Sequence, residues 1–373
     1  MSQNKKSISI TFLGNANHDS RVVNLIDSLI DLEYNVKTIS FDWKTANFNT
    51  KLGETTIYKL DKSSSSLKFY LTFFYLLIRD LLKYKASIYF AEDVYTLPVV
   101  YFFAKLNKAK IFYNSREIYA HLAGLRKKSF VQNIIAKIES KFIGKVDFVL
   151  VTGEMDKEYL AESYGLNNIL VLRNLPKFTE VKNKIDLREK LNIPNDQKIL
   201  LYQGVILEGR GIKKVIDVLD KINNAHFVII GEGEFRKQFE SEITGNPIES
   251  RVHFIGQVNH KDLLSYTASA DLGLALIENI SLSYYYALPN KIFEYIMAEV
   301  PILCSDLPQM KKIVDDYKVG NYVNLEKDNL ANAINEILSS AELLNKYKQN
   351  CKQAAKELNW DFEFNKVKDL LLN

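Results

Sequence analysis

Arg210 stands between two glycines in the run LYQGVILEGRG, directly ahead of the helically spaced Ile212, Val215, Ile216, Leu219 and Ile222. A cation at the start of a helix faces the positive end of the macrodipole, so an anion is expected there. A diphosphate held jointly by the guanidinium and helix N–H groups fits. An exposed arginine on a flexible glycine turn is the plain alternative. The run SYYYALPNKIFEYIMAEVPILC repeats the pattern: Pro289 suits the first helical position, Asn290 and Lys291 follow, and Glu294 lies three residues beyond Lys291 on the same side. Phosphate at Lys291 and ribose hydroxyls at Glu294 would match a nucleotide sugar. A surface ion pair is the competing reading, of little energetic weight.

A third turn, Gly14-Asn15-Ala16-Asn17-His18-Asp19-Ser20-Arg21, precedes Val22, Ile26, Leu29 and Ile30 at helical spacing. Asp19 or Ser20 suits the N-cap, and Gly14 with free N–H groups could admit an anion, although such turns also occur without function. His18 could donate to phosphate, or be structural. GEGEFR lacks the third glycine and distal acid of a dinucleotide fingerprint, and no Walker lysine pattern, HExxH or GxSxG is present.

These turns need strands and helices to hold them. Apolar, β-branched runs recur as SISITFLG, NVKTISF, SIYFAED, KIFYNS, DFVLVT and ILVLRN, then as KILLYQG, HFVIIGEG, VHFIG, DLGLALI, PILCSD and NYV. Amphipathic segments separate most of them, which predicts an α/β fold of two parallel-sheet domains. The hinge is expected at Asn174-Leu175-Pro176 and the charged stretch that follows. That gives a first domain over 1–176, a second over 177–355 and a C-terminal helix over 356–373. Ligands of open parallel sheets bind beyond the strands' C-terminal ends, so a cleft between two facing sheets is the expected site.

The chain has 373 residues, more than the about 100–200 of a usual domain, with 47% hydrophobic and 25% charged residues, which excludes a disordered or collagen-like chain. Cys304 and Cys351 cannot build a disulfide framework or a four-ligand zinc site, so a reducing compartment and no metal are expected. The N-terminus MSQNKKSISITFLGN reads as a strand, not a signal peptide. A net charge of +4 does not suggest nucleic-acid binding; residues 1–180 carry +7 and the remainder −3. Low complexity is confined to the serines at 63–66.

Two basic-half segments bear on membranes. LKFYLTFFYLLIRDLL, 67–82, is shorter than the about 20 residues of a span and is interrupted by Lys68, Arg79 and Asp80; it suits a buried core helix, or a surface anchor. LRKKSFVQNIIAKIESKF spaces Phe130, Ile134, Ile138 and Phe142 at i, i+4, with Lys127, Lys128, Lys137 and Lys141 mostly off that stripe. It suits a packed helix with a solvated lysine face, or a helix drawn to anionic lipid.

The order of YQGVILEGRG, VIIGEGEFR, VHFIGQVNHKDLLSYTASADLGLAL and LPNKIFEYIMAEVPILCSD resembles the two-domain GT-B glycosyltransferases, specifically the retaining, nucleotide-sugar-dependent family four. HDSRVVNLIDSLIDLEYNV, the strand ending AED, FYNSREIY and LNWDFEFNKVKDLL extend the resemblance over nearly the whole chain. It implies two Rossmann-like domains and transfer of a sugar with retention from a nucleoside diphosphate sugar, without an obligatory metal or other cofactor. Arg210 and Lys291 would stabilise the leaving diphosphate. Gly14, Gly204 and Asn290 would help bind the donor, Glu294 its ribose, and Gly256 would border the base. Asp19, Arg21, Glu92, Asp93, Glu117 and His18 would lie on the acceptor side.

The sequence departs from the family at three places. Tyr286 stands where its first paired glutamate falls, Val205 where an arginine often follows the YxG glycine, and Arg116 where a histidine near the reacting sugar is expected. Arg116 could meet an anionic acceptor or sugar carboxylate as a catalytic group, or ion-pair with Glu117 or another local acid. The resemblance thus implies a cytoplasmic enzyme, at the inner membrane face where its acceptor is lipid-linked, adding a sugar to a glycan, lipid-linked or other glycoconjugate acceptor in surface polysaccharide assembly. The departures keep open a catalytically inert binder of nucleotide sugar or partner. An epimerase would need an acid/base pair and a glycoside hydrolase two flanking carboxyls, and neither is evident.

Overall fold

The computed structural model describes residues 6–44, 50–52, 54–63 and 65–372; residues 1–5 of the N-terminal run and Ser64 of the serine run lie outside them. The chain divides into two compact units, Met1–Asn174 with Phe364–Asn373, and Leu175–Glu363.

The first unit holds one sheet of eight strands: β1 (Ser7–Phe12), β2 (Asn35–Asp42), β3 (Thr50–Leu52), β4 (Thr55–Lys59), β5 (Ile88–Ala91), β6 (Lys110–Ser115), β7 (Phe148–Val151) and β8 (Ile169–Val171). Their order is β3-β4-β2-β1-β5-β6-β7-β8, all parallel except β3, which runs antiparallel to β4 at the edge. Ile8 and Ile10 of β1, Ile88 and Phe90 of β5, and Ile111 and Phe112 of β6 are buried, as near-continuous apolar strands of a sheet covered on both faces require. The order reverses between β1 and β5, so a crevice is expected beyond the ends of β1, β5 and β6.

The second unit holds six parallel strands in the order β11-β10-β9-β12-β13-β14, namely β9 (Lys198–Gln203), β10 (Ala225–Ile230), β11 (Val252–Gly256), β12 (Leu272–Ala275), β13 (Ile302–Ser305) and β14 (Gly320–Val323). Here the reversal falls between β9 and β12. A Cβ on Gly211, at φ +75°, would stand 2.4 Å from the Leu276 carbonyl oxygen, so glycine lets the loop after β9 lie against the end of β12. The helix Asn290–Met297 is fixed by Tyr295, whose hydroxyl reaches the carbonyls of Leu201 at 3.0 Å and Leu274 at 3.2 Å. Its ring occupies the space a side chain on Gly273 would take, since a Cβ there would come within 2.5 Å.

Local structure differs from expectation in several places. β3 and β4 have no counterpart among the apolar runs read from the sequence. The stretch after Pro176 contains the short helix Leu187–Leu191, capped by Asp186. Pro289 is the N-cap of its helix, not the first helical residue. The helix after Arg210 is only Ile212–Ile216, with Gly211 as N-cap, so it offers a weaker macrodipole than the spacing to Ile222 implied. The helix Ser66–Lys83 is not a buried core element: Phe73, Leu77, Asp80 and Leu81 are buried, but Leu67, Leu71, Tyr75 and Leu82 are exposed. In the helix Ser129–Phe142 the buried residues are Ile135 and Glu139, while Phe130 and Ile134 of the expected apolar stripe face solvent.

Candidate functional site

In the second unit, Gln203 ends β9, Arg210 follows in the loop, and Lys291 and Glu294 project from the first turns of Asn290–Met297. Lys291 is buried, 8% exposed, with its Nζ 3.5 Å from the centre of the Tyr202 ring. The Arg210 guanidinium carbon lies 4.6 Å from the centre of the Tyr284 ring. Neither cation makes a hydrogen bond or ion pair with any described residue; each rests on an aromatic face. Arg210 is near enough for its charge to act on both Lys291 and the Tyr202 phenol.

Burial first, and the neighbouring Arg210 second, hold the Lys291 ammonium well below the usual lysine range, with Glu294 opposing. Burial pushes the Glu294 carboxyl up, against a hydrogen bond from Gln203 and the charges of His260 and Lys291. Gln203 Nε2 donates to Glu294 Oε2, while Gln203 Oε1 accepts from the Thr267 hydroxyl at 2.8 Å. This relay fixes the Glu294 carboxylate. Gly204, at φ +128°, lies beside Lys291 Nζ; Asn290 is the half-buried first residue of its helix. Gly256 closes β11 at φ +86° next to the ion pair of Glu232 and Arg236, and nothing places it beside Lys291. At the departures from the family pattern, Val205 is exposed and the Tyr286 carbonyl accepts from Gln309 Nε2.

In the first unit, Asp19, Arg21, Glu92 and Arg116 meet in one network beyond β1, β5 and β6. Arg116 Nη1 and Nη2 donate to the two oxygens of Asp19, each at 2.8 Å, and Nη2 lies 3.4 Å from Glu92 Oε2. The guanidinium also covers the Phe12 ring at 4.8 Å. Arg21, 1% exposed, donates to the Leu172 carbonyl and to Asn114 Oδ1, both at 2.5 Å, and Asn114 donates to Glu92 at 2.9 Å. Burial works to raise the Asp19 carboxyl, yet Arg116, the Val22 N–H and Arg21 together hold it below the usual range. Burial pushes Glu92 up, against the pull of Arg116 and Arg21.

The remaining expected residues serve the backbone or lie at the surface. Asp93 accepts from the N–H groups of Leu13 at 2.6 Å and Thr96 at 2.8 Å, ordering the start of the helix Leu97–Asn107. Glu117 and His18 are exposed. Around Gly14 several N–H groups are already engaged: Ala16 donates to Ser40, Asn17 to Asn15 Oδ1, Asp19 to the Ala16 carbonyl and Val22 to Asp19 Oδ1. Arg116, expected either as a catalytic cation or in an ion pair with a nearby acid, pairs through its Nη groups with Asp19 and Glu92. Sequence reasoning did not single out Tyr202, Gln203, Thr267 or Tyr284; tyrosines within a few residues of each cation in YQG and SYYY were the available signal. Among the described residues no three His, Cys, Asp or Glu side chains gather as a metal site.

Two parallel-sheet α/β units with this strand order define the fold of the GT-B glycosyltransferases. Sucrose-phosphate synthase from Thermosynechococcus elongatus superposes with a TM-score of 0.80 at 17% identity over 98% of each chain. HepE of Anabaena, in complex with UDP and glucose, gives 0.75 at 14% identity over 99% of this chain and 100% of that one. Residues 183–356 match the family of glycosyl transferases group 1, so the second unit carries a domain of that family. The putative colanic acid biosynthesis glycosyl transferase WcaI of Escherichia coli (strain K12) is 26% identical over 127 residues, 32% of this chain and 31% of its own. The matched stretches span between 29% and 59% of the length of the curated relatives.

Proposed function

We propose that the chain transfers a sugar from a nucleoside diphosphate sugar to a glycan or lipid-linked acceptor, with retention and without a metal, in assembly of a surface polysaccharide at the cytoplasmic face of a membrane. The observation that carries the reading is the convergence of Arg210 and buried Lys291 with no carboxylate paired to either. Removing one partner of a buried ion pair is costly, so two converging cations call for an anion the chain does not itself supply. A diphosphate fits in charge and size, and the fixed Glu294 carboxylate suits ribose hydroxyls. The UDP in the HepE complex supports a uridine donor, and the WcaI likeness supports a polysaccharide product.

In this reading the acceptor hydroxyl oxygen bonds to the anomeric carbon on the face from which the diphosphate departs. The electron pair of the breaking C–O bond goes to the diphosphate, whose oxygen takes the acceptor proton. Arg210 and Lys291 stabilise the charge that builds on the leaving group. Arg210→Ala should lower turnover on UDP-sugar by about 10²–10³-fold while the melting temperature is kept. Unchanged turnover would reject the phosphate assignment. A nucleotide-sugar binder without transfer is the second reading, favoured by the commitment of Arg116 to Asp19 and Glu92. Donor hydrolysis or transfer across a panel of UDP-, GDP-, ADP-, dTDP- and CMP-sugars would eliminate it.

A further inference from the structure

Three consecutive helices of the first unit, Ser66–Lys83, Leu97–Asn107 and Ser129–Phe142, pack side by side. Their inner faces, with Phe73, Leu77, Val100, Phe103 and Ile135, join the core of the unit. Their outer faces are not the polar surface of an ordinary solvated helix. Leu71, Tyr75, Leu82, Phe102, Leu106 and Phe130 stand exposed, Phe130 to 75%. Of the seventeen large apolar side chains exposed among the described residues, eleven lie on these three helices, so the apolar surface is gathered rather than scattered.

The charges on the same helices are sorted by sign. Their acids, Asp80 and Glu139, are both buried and hydrogen-bonded, Asp80 by the Tyr58 hydroxyl at 2.6 Å and Glu139 by the Tyr113 hydroxyl at 2.6 Å. Every exposed charged side chain on them is a lysine, Lys68, Lys83, Lys105, Lys137 and Lys141, while the half-buried Arg79 pairs with Asp80. Lysine ammonium groups stand beside aromatic rings, with Lys105 5.7 Å from the Tyr101 ring centre and Lys145 5.9 Å from those of Tyr101 and Phe142. An occupant must therefore accept apolar tips and supply negative charge at once. A second copy of this face would bring lysine against lysine, and a nucleic-acid backbone offers nothing to the leucines and phenylalanines. No helix among the described residues is long and apolar enough to cross a membrane, so contact at the surface is the remaining geometry.

We propose that this three-helix face docks on an anionic lipid bilayer, its apolar tips entering the boundary between headgroups and acyl chains and its lysines level with the lipid phosphates. The proposal builds on the membrane-face acceptor suggested above but is tested without the sugar chemistry. The full chain should sediment with vesicles of phosphatidylglycerol and phosphatidylcholine in about a 3:7 ratio, and much less with phosphatidylcholine alone. Lys137→Glu with Lys141→Glu, and separately Phe102→Ser with Phe130→Ser, should each weaken vesicle binding at least about tenfold. All four side chains are exposed, so the melting temperature should hold. Absence of sedimentation with the anionic vesicles, or wild-type binding by both variants, overturns the proposal. So does self-association in ultracentrifugation that Phe102→Ser with Phe130→Ser abolishes, because the face would then belong to a second copy. Donor hydrolysis measured without vesicles reports separately on Arg210 and Lys291, so failure of docking and failure of the transferase reading are distinguishable.

Discussion

Each unit brings cationic side chains to the C-terminal end of its sheet, and the two units treat them in opposite ways. In the first, Arg116 and Arg21 are answered from within the chain by Asp19, Glu92, Asn114 and the Leu172 carbonyl. In the second, neither Arg210 nor Lys291 has a hydrogen-bonded acid, and burial, with the charge of Arg210 second, holds the Lys291 ammonium below the usual lysine range. The contrast separates a charge that holds a fold together from one kept for a ligand. An arginine near a strand end says little until its partner is known.

The sharpest way to break this contrast is to remove one cation from each unit. Arg116→Ala strands the Asp19 and Glu92 carboxyls, so chemical denaturation should show a loss of about 3–5 kcal/mol, while whatever remains folded still binds UDP. Lys291→Met should do the reverse. Nucleotide affinity, read by calorimetry, is expected to fall about 30–100-fold, a loss of about 2–3 kcal/mol, with stability unchanged or raised because an unpaired buried ammonium has gone. If Lys291→Met destabilised the fold as strongly as Arg116→Ala, the distinction would be lost.

A smaller effect lies in pH. The folded chain holds Lys291 below its ordinary value of 10.5, so between the depressed value and 10.5 the unfolded chain carries a proton that the folded one lacks. Stability should therefore rise with pH across that window. A bound diphosphate favours the charged ammonium, so nucleotide affinity should fall over the same range, by at most about tenfold per pH unit. Calorimetry in buffers of different ionisation enthalpy should record proton uptake on binding, and its absence would remove Lys291 from the phosphate.

Much of this was legible in the sequence where the physics is local. The apolar runs that became β1, β2 and β5 through β14 are long or β-branched enough to read directly, and the glycines beside Arg210 mark a turn. β4 is only TTIYK, and β3 three residues, which leaves too little periodicity to see. What stayed hidden depends on residues distant in sequence. Asp19 and Arg116 meet across 97 positions, and no spacing rule announces that the guanidinium is already spent on the carboxylate. The helix Ser129–Phe142 shows the same limit: of the obvious stripe Phe130, Ile134, Ile138 and Phe142 only the last two pack on the core, and Glu139 is buried beside them by hydrogen bonds from Tyr113 and Tyr164.

The tyrosine rings beneath Arg210 and Lys291 have a consequence for how tightly an incoming group can be gripped. Had aspartates held these side chains in place, each would compete with the newcomer, and its departure would offset part of the gain. An aromatic face steadies a cation while leaving its charge unneutralised, so the two can turn to a new anion without first breaking a strong bond.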